Sequence, residues 1–221
     1  MSKTIVITGA NRGIGFAMAK ICKQRGDNVY ALCRQSSTQL EALDVNIIEN
    51  IDIAQDEGIA QALTALNNIQ IDLLINNAGI LRDESLQDFN KDTIIEQFNV
   101  NALAPLAFTQ ALLNNVNAGS KIAFITSRMG SIADNGSGGR YGYRMSKAAL
   151  NIGAMSLAKD LTSQQVAVGI YHPGYVQTDM VNHGGDISAE VSAERLLNLM
   201  NELTMSESGV FRHSNGEVLP W

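Results

Sequence analysis

Apolar and polar residues follow two different periods along the chain, and the two periods alternate. Short β-branched or apolar runs predict six strands, at residues 3–8, 28–33, 45–50, 71–75, 121–126 and 166–171. Between them, apolar residues recur at helical spacing, which predicts helices at 14–21, 59–66, 91–115, 141–161 and 192–203. Strands that alternate with helices are typical of parallel sheets. The pattern therefore predicts an α/β fold, a doubly wound parallel sheet flanked by helices.

The composition is that of one globular domain without a polyanionic partner. Of 221 residues, 45% are hydrophobic and 17% charged, so a single domain over residues 1–221 is expected. A formal net charge of −6 gives no electrostatic reason to bind nucleic acid or an anionic membrane surface. The absence of a leader segment and of a bilayer-spanning window predicts a cytoplasmic protein. Two cysteines and three histidines lack metal-ligand spacing, so no metal site is expected.

A glycine-rich turn joins the first predicted strand to the first predicted helix. Gly9, Gly13 and Gly15 follow Thr8 with the spacing G-x-x-x-G-x-G. Glycines let backbone N–H groups approach a pyrophosphate, and a helix N-terminus adds unpaired donors and a partial positive charge. The turn therefore predicts a phosphate-binding site, although its spacing differs from the common dinucleotide fingerprint G-x-G-x-x-G.

The end of the second predicted strand bears on the choice of nucleotide. Dinucleotide folds that prefer NAD usually place an acidic residue there, which binds the ribose 2′-hydroxyl. This chain has Cys33 followed by Arg34, and a second guanidinium, that of Arg12, lies in the glycine turn. Arginine binds phosphate through charge-assisted hydrogen bonds, so the two residues predict NADP(H) in preference to NAD(H). The alternative is that both arginines are solvated surface charges.

A serine, a tyrosine and a lysine lie close in sequence after the fifth predicted strand. Ser127 follows that strand, residues 130–139 form a predicted active-site loop, and Tyr143 and Lys147 lie in the next helix. Residues four apart share a helix face, so the ammonium is expected to lower the phenol's pKa from about 10 and make Tyr143 an acid and base. Tyr141 lies on another face and is assigned to the pocket wall or to packing. The alternative is an ordinary surface pair.

Amide side chains stand at two further positions. The segment Asn76-Asn77-Ala78-Gly79 follows the fourth predicted strand, at the edge where open α/β sheets bind ligands. A tight turn would explain this segment equally well. Asn101 lies near the middle of the predicted helix 91–115. Because asparagine is a weak helix former, it is either solvated there or its amide is used.

In their order, these motifs resemble the short-chain dehydrogenase/reductase family from Thr4 to Trp221, and more narrowly its C-factor and sniffer-type carbonyl reductase branch. The resemblance implies a Rossmann-type fold and the catalytic residues Asn101, Ser127, Tyr143 and Lys147. It implies that Lys147 binds the nicotinamide ribose and that Asn101 supports a proton relay through water. The residues that it assigns to the nucleotide are Gly9, Asn11, Arg12, Gly13, Ile14, Gly15, Arg34, Asp52, Ile53, Asn77, Ala78, Gly79, Tyr143, Lys147, Pro173, Gly174, Val176 and Thr178.

The activity that the resemblance implies is hydride transfer between NADP(H), with NAD(H) as the second choice, and a small carbonyl or alcohol substrate. Tyr143 would protonate the developing alkoxide while Ser127 holds the carbonyl oxygen. The C-factor resemblance leaves open a signalling or regulatory protein in which bound cofactor matters and turnover does not. The family also implies a homodimer or homotetramer that packs through the helices of Asn101 and Tyr143.

Two segments bear on the substrate. Residues 175–191 are short and contain glycines, which predicts a small mobile lid that includes His183 as a residue without a catalytic part. Arg128, Arg140 and Arg144 flank the loop 130–139. They either meet an acidic substrate or are solvated.

Overall fold

Within residues 2–221, which the computed structural model of the chain describes, seven parallel strands form one sheet. The strands are β1 Thr4–Thr8, β2 Asn28–Leu32, β3 Asn46–Ile48, β4 Ile71–Asn76, β5 Val116–Ile125, β6 Ala167–His172 and β7 Phe211–His213. Their order across the sheet is β3-β2-β1-β4-β5-β6-β7. The chain therefore reverses its direction of winding between β1 and β4, and open sheets bind ligands at such a switch point. This confirms the predicted doubly wound fold.

Helices cover both faces of the sheet. They are α1 Gly13–Gln24, α2 Thr38–Glu41, α3 Asp56–Ala65, α4 Lys91–Phe98, α5 Ala104–Ala111, α6 Tyr141–Asp160 and α7 Ala189–Glu202. Because side chains alternate along a strand, β1 contributes to both cores. Ile7 packs with Met18 of α1 and Leu196 of α7. Val6 belongs to the opposite core, which contains Phe108 of α5. No helix among residues 2–221 is long and apolar enough to cross a membrane.

The helix predicted at 91–115 is interrupted. Lys91–Phe98 and Ala104–Ala111 are α-helical, but Asn99–Leu103 between them forms a π-helical turn. Such turns are uncommon and occur often at functional sites. Asn101 lies in the middle of this turn and is fully buried. The periodicity of apolar residues does not reveal the turn because its flanking helices both keep normal helical spacing.

The pattern of apolar residues also missed two short elements, β7 and α2. The three residues of β7 are too few to show a period, and one of them is Arg212. The single turn of α2 is stabilised by a cap, since the backbone N–H of Leu40 donates to the hydroxyl of Ser37 at 3.2 Å. β7 depends on its pairing with β6, which is distant in sequence. α2 depends on a cap, which leaves no periodic pattern.

Candidate active site

The glycine turn lies tightly against the end of β4. Gly9 and Gly13 have left-handed backbone angles, with φ of 66° and 56°. A side chain at Gly15 would collide with the carbonyl oxygen of Gly9. The hydroxyl of Thr8 accepts hydrogen bonds from the backbone N–H groups of Asn77 and Ala78, at 3.0 and 3.1 Å. The glycines and Thr8 therefore allow the backbone of the turn to lie closer to the segment after β4 than other residues would permit.

A cleft of about 1510 Å³ opens at this point, at the carboxyl ends of the strands. It is lined by most of the residues assigned to the nucleotide, which are Gly9, Asn11, Arg12, Gly13, Ile14, Arg34, Asp52, Ile53, Asn77, Ala78, Gly79, Tyr143, Lys147, Pro173 and Thr178. The other three do not line it. Gly15 is buried in α1, Gly174 has a φ of 97°, and Val176 is buried and pairs with Ile187 in an isolated bridge.

Two arginines line the cleft, Arg34 after the end of β2 and Arg12 in the glycine turn. Arg34 is exposed, and no ion pair involves it within the described part of the chain. Arg12 makes a long ion pair, 3.4 Å, with Asp179 in the segment predicted as a lid. Asp179 also lies 3.2 Å from His183. Of the two guanidiniums, that of Arg34 is therefore free to meet a phosphate without first breaking a contact.

The predicted serine, tyrosine and lysine lie close together, and Tyr143 and Lys147 line the cleft. Ser127 lies just after β5, and its hydroxyl accepts from the backbone N–H of Met129 at 3.1 Å. It also lies near enough to the phenol of Tyr143 to lower the pKa of that phenol. Lys147 donates to the carbonyl oxygen of Ile125 at 3.0 Å, and its Nζ lies 5.7 Å from the centre of the Tyr143 ring. All three side chains are buried. The end of β5 and the helix α6 thus place three polar groups in a site largely shielded from water.

The pKa of Tyr143 is raised in this arrangement, whereas the sequence predicts that it is lowered. Burial raises the pKa of Tyr143 to about 12, and this outweighs the lowering by the Ser127 hydrogen bond and by the charge of Arg140. Burial also lowers the pKa of Lys147 to about 8. Desolvation cannot be inferred from the sequence, because it requires the fold to be known. The phenol therefore stays protonated throughout the neutral range.

The amide of Asn101 is used, which decides between the two alternatives for this residue. It donates to the carbonyl oxygen of Ile80 at 2.8 Å and accepts from the backbone N–H of Ile80 at 2.8 Å. It also donates to the hydroxyl of Ser146 at 3.1 Å, and this hydroxyl donates to the carbonyl oxygen of Tyr143 at 2.8 Å. The π-helical turn thus brings Asn101 between the segment after β4 and the helix of Tyr143.

Comparison with known proteins identifies the family. The family model described as short chain dehydrogenase matches residues 3–186, most of the chain. The chain belongs to the short chain dehydrogenase family. It is 32% identical to 1-hydroxy-2-glutathionyl-2-methyl-3-butene dehydrogenase of Rhodococcus sp. (strain AD45), over 99% of both chains. It is 40% identical to C-signal of Myxococcus xanthus, over 68% of this chain and 93% of that protein.

The solved structures agree with this assignment. The NADPH-bound carbonyl reductase from chicken fatty liver has a TM-score of 0.90 and 27% sequence identity, and the match covers 100% of this chain and 99% of that one. The resemblance to carbonyl reductases of this family, inferred from the motifs, is therefore confirmed.

The sequence patterns do not reveal Glu84, a buried carboxylate that supports α6. Glu84 accepts from the Thr93 hydroxyl at 2.7 Å, from the Gln97 amide at 2.6 Å and from the backbone N–H of Gly142 at 3.2 Å. It therefore joins α4 to the first turn of α6, where a negative charge is favourable. Glu84 lies in the irregular segment between β4 and α4, so no periodicity signals its burial. Its role depends on three partners from two helices.

A second missed residue is Gly130, in the predicted active-site loop. A Cβ added there would lie 2.6 Å from the carbonyl carbon of Lys147 and 2.8 Å from the backbone nitrogen of Ala148. Only glycine lets the loop approach the helix this closely. Tyr141, in contrast, packs edge-to-face against Phe89 with ring centres 5.8 Å apart, and it does not line the cleft. Of the two roles predicted for Tyr141, the structure therefore shows packing.

Proposed function

We propose that this member of the family is an NADP(H)-dependent carbonyl reductase, an oxidoreductase acting on C=O and CH–OH groups. The observation that carries the proposal is the meeting of Ser127, Tyr143 and Lys147 at the end of a glycine-lined cleft. The chicken carbonyl reductase with NADPH bound has the same fold over the whole chain. The regulatory alternative is not favoured, because a protein that only binds cofactor has no need for these three residues together.

The cleft fits the nucleotide on its own features. The close backbone approach at Gly9 and Gly15 and the left-handed turn at Gly13 suit a pyrophosphate beside the N-terminus of α1. Arg34, and Arg12 once released from Asp179, suit the 2′-phosphate of NADP(H). Asp52 lines the same cleft and is proposed to bind on the adenine side, with Thr178 near the nicotinamide. When bound, NADPH supplies the hydride.

The chain's own residues supply the proton and hold the carbonyl oxygen. Ser127 and Tyr143 present two hydroxyls that can donate to the same oxygen, where negative charge develops. A phenol with a pKa of about 12 is protonated at neutral pH and serves as the general acid. Lys147, charged below about pH 8, is proposed to bind the ribose and to stabilise the phenolate left after proton transfer. In the neutral range the phenol is therefore in the protonated form that carbonyl reduction requires.

The test is direct. Purified protein is titrated with NADPH and NADH by fluorescence, and NADPH oxidation is then followed over a panel of aldehydes, ketones and diketones. Alcohols, including glutathione conjugates, are tested in the oxidation direction, since the Rhodococcus relative is named for such a substrate. Binding with turnover supports the proposal. Tight NADPH binding without turnover of any compound would favour the regulatory alternative, and no nucleotide binding would contradict both.

The pH dependence of the reaction should reflect Lys147. Its charged form exists below its pKa, so kcat/KM for NADPH should be level at low pH and fall as pH rises through about 8. Tyr143 keeps its proton up to a pKa of about 12 and adds no inflection before that. A pH–rate profile between about pH 6 and pH 10 measures this. Lys147→Arg should remove the descending limb, and an unchanged limb in that variant would assign it to another group.

We also propose a homodimer or homotetramer. α4 and α6 pack on each other, and the segment 91–111 and α6 expose a set of large apolar side chains: Ile95, Phe98, Leu103, Met145 and Ile152. Contiguous exposed apolar surface marks interaction sites. Light scattering should therefore give the mass of two or four chains. Ile152→Glu should shift the mass toward one chain, whereas Ile132→Glu, in the loop outside this face, should not. A monomeric wild-type protein would exclude the proposal.

A further inference from the structure

The loop between Ser127 and α6 is attached to the helix by one guanidinium. We call residues 129–139 the substrate loop. Arg144 Nε donates to the carbonyl oxygens of Gly138 and Gly139, at 3.2 Å each. Its Nη1 donates to the carbonyl oxygen of Met129 at 3.4 Å, and its Nη2 donates to the hydroxyl of Ser137 at 2.8 Å. One side chain therefore contacts both ends of the loop.

These contacts correct both earlier alternatives for Arg144. Arg128 and Arg140 pair with aspartates, at 2.7 and 2.6 Å, but the partners of Arg144 belong to the loop. Its side chain is half-buried, and its donors bind three backbone carbonyl oxygens and the hydroxyl of Ser137. Arg144 is thus neither a solvated charge nor a free group for an acidic substrate.

The substrate loop is buried at its beginning, at Gly130 and Ser131, and has little packing further along. Cβ atoms built at Gly136, Gly138 and Gly139 would meet no atom within 4 Å. Gly138, Gly139 and Arg140 follow one another with left-handed φ angles of 63°, 64° and 51°. At the far side, the N–H of Ala133 donates to the carbonyl oxygen of Trp221 at 3.0 Å. Beyond the close contact at Gly130, polar contacts therefore define the conformation of this loop.

We propose that Arg144 is a positioning residue that fixes the substrate loop against the helix of Tyr143 and Lys147, and thereby determines how carbonyl substrates fit beside Ser127. This inference rests on the proposed carbonyl reductase function. The loop begins two residues after Ser127 and ends four before Tyr143. A guanidinium suits the task, because its planar fork of donors reaches several oxygens at fixed angles, whereas a lysine offers one nitrogen. A single positive charge at position 144 would therefore not make all of these contacts.

The kinetic test compares Arg144→Met and Arg144→Lys with the wild type. Both variants should raise KM for carbonyl substrates by about tenfold or more and change the ranking of bulky against small substrates. The dissociation constant of NADPH should stay within about twofold, because Arg144 does not line the cleft. Arg25→Met is the matched control, since this exposed arginine contacts Asn198, outside the cleft.

Three kinetic results would overturn the inference. An unchanged KM in Arg144→Met would show that the loop needs no such anchor. Full recovery in Arg144→Lys would show that charge suffices. A rise in the NADPH dissociation constant equal to the rise in KM would show general damage to α6.

Hydrogen exchange provides a readout that needs no turnover. In Arg144→Met, backbone amides of the substrate loop should exchange about tenfold faster, while those in the middle of α6 keep their protection. This pattern in a protein that reduces no carbonyl would contradict the proposed function and leave the positioning of the loop standing. Unchanged exchange in the loop would contradict the positioning itself, whatever the activity.

Discussion

Tyr143→Phe should lower kcat for carbonyl reduction by about 10³- to 10⁴-fold, because it removes the only proton donor on the ring that faces Ser127. The residue is buried, and phenylalanine fills nearly the same volume, so the fold should tolerate the change. The affinity for NADPH should be nearly unchanged. Steady-state kinetics together with a fluorescence titration of NADPH measure both quantities on the same preparation.

The matched control for this variant is Tyr141→Phe. Tyr141 lies two residues earlier on the same helix, but its ring packs against Phe89 and does not line the cleft. The kcat of Tyr141→Phe should therefore stay within about twofold of the wild-type value. If Tyr143→Phe retained substantial turnover, the assignment of the general acid would be lost, and a second donor at the carbonyl oxygen would have to replace it.

Arg34→Asp should change the ratio of kcat/KM for NADPH to that for NADH by about 10²- to 10³-fold in favour of NADH. The exposed guanidinium at the end of β2 lines the cleft, and its replacement puts a carboxylate where a 2′-phosphate would bind. Loss of a charge-assisted contact and the new repulsion both act against NADPH. The same carboxylate can accept from the ribose hydroxyls of NADH. Kinetics with each nucleotide at a fixed carbonyl concentration give the ratio.

Arg25→Asp makes the same change of charge away from the cleft. Arg25 follows α1 and bonds with Asn198, so its replacement should leave the nucleotide ratio unchanged. An equal shift in both variants would attribute the effect to net charge. No shift in Arg34→Asp would transfer the recognition of the 2′-phosphate to Arg12, which could leave Asp179 to make that contact.

The sequence predicts those parts of the fold that depend on local pattern. Six of the seven strands and the long helices follow from the period of apolar residues, and the glycine turn follows from Gly9, Gly13 and Gly15. These features need no knowledge of distant contacts, since a strand in a parallel sheet is apolar on both faces and a helix on one. The positions of Ser127, Tyr143 and Lys147 relative to these elements follow in turn.

The features that the sequence did not predict all depend on tertiary structure. The π-helical turn at Asn101 appears only when the amide has Ile80 and Ser146 as partners. The pKa of Tyr143 is raised because burial outweighs nearby charge, and burial is a property of the folded chain. Arg144 gave no signal of its loop contacts, since a single basic residue on a helix is compatible with several roles.

The contact between the substrate loop and Trp221 should allow changes in the loop to be followed by tryptophan fluorescence. Trp221 is the only tryptophan in the chain, and its ring stacks on Phe211 with centres 5.3 Å apart. Its carbonyl oxygen accepts from Ala133 in the loop. Intrinsic tryptophan emission therefore arises from a single place, next to the loop that follows Ser127. Ligands that reorder this loop should change the emission without any label, so binding can be followed in compounds that are never turned over.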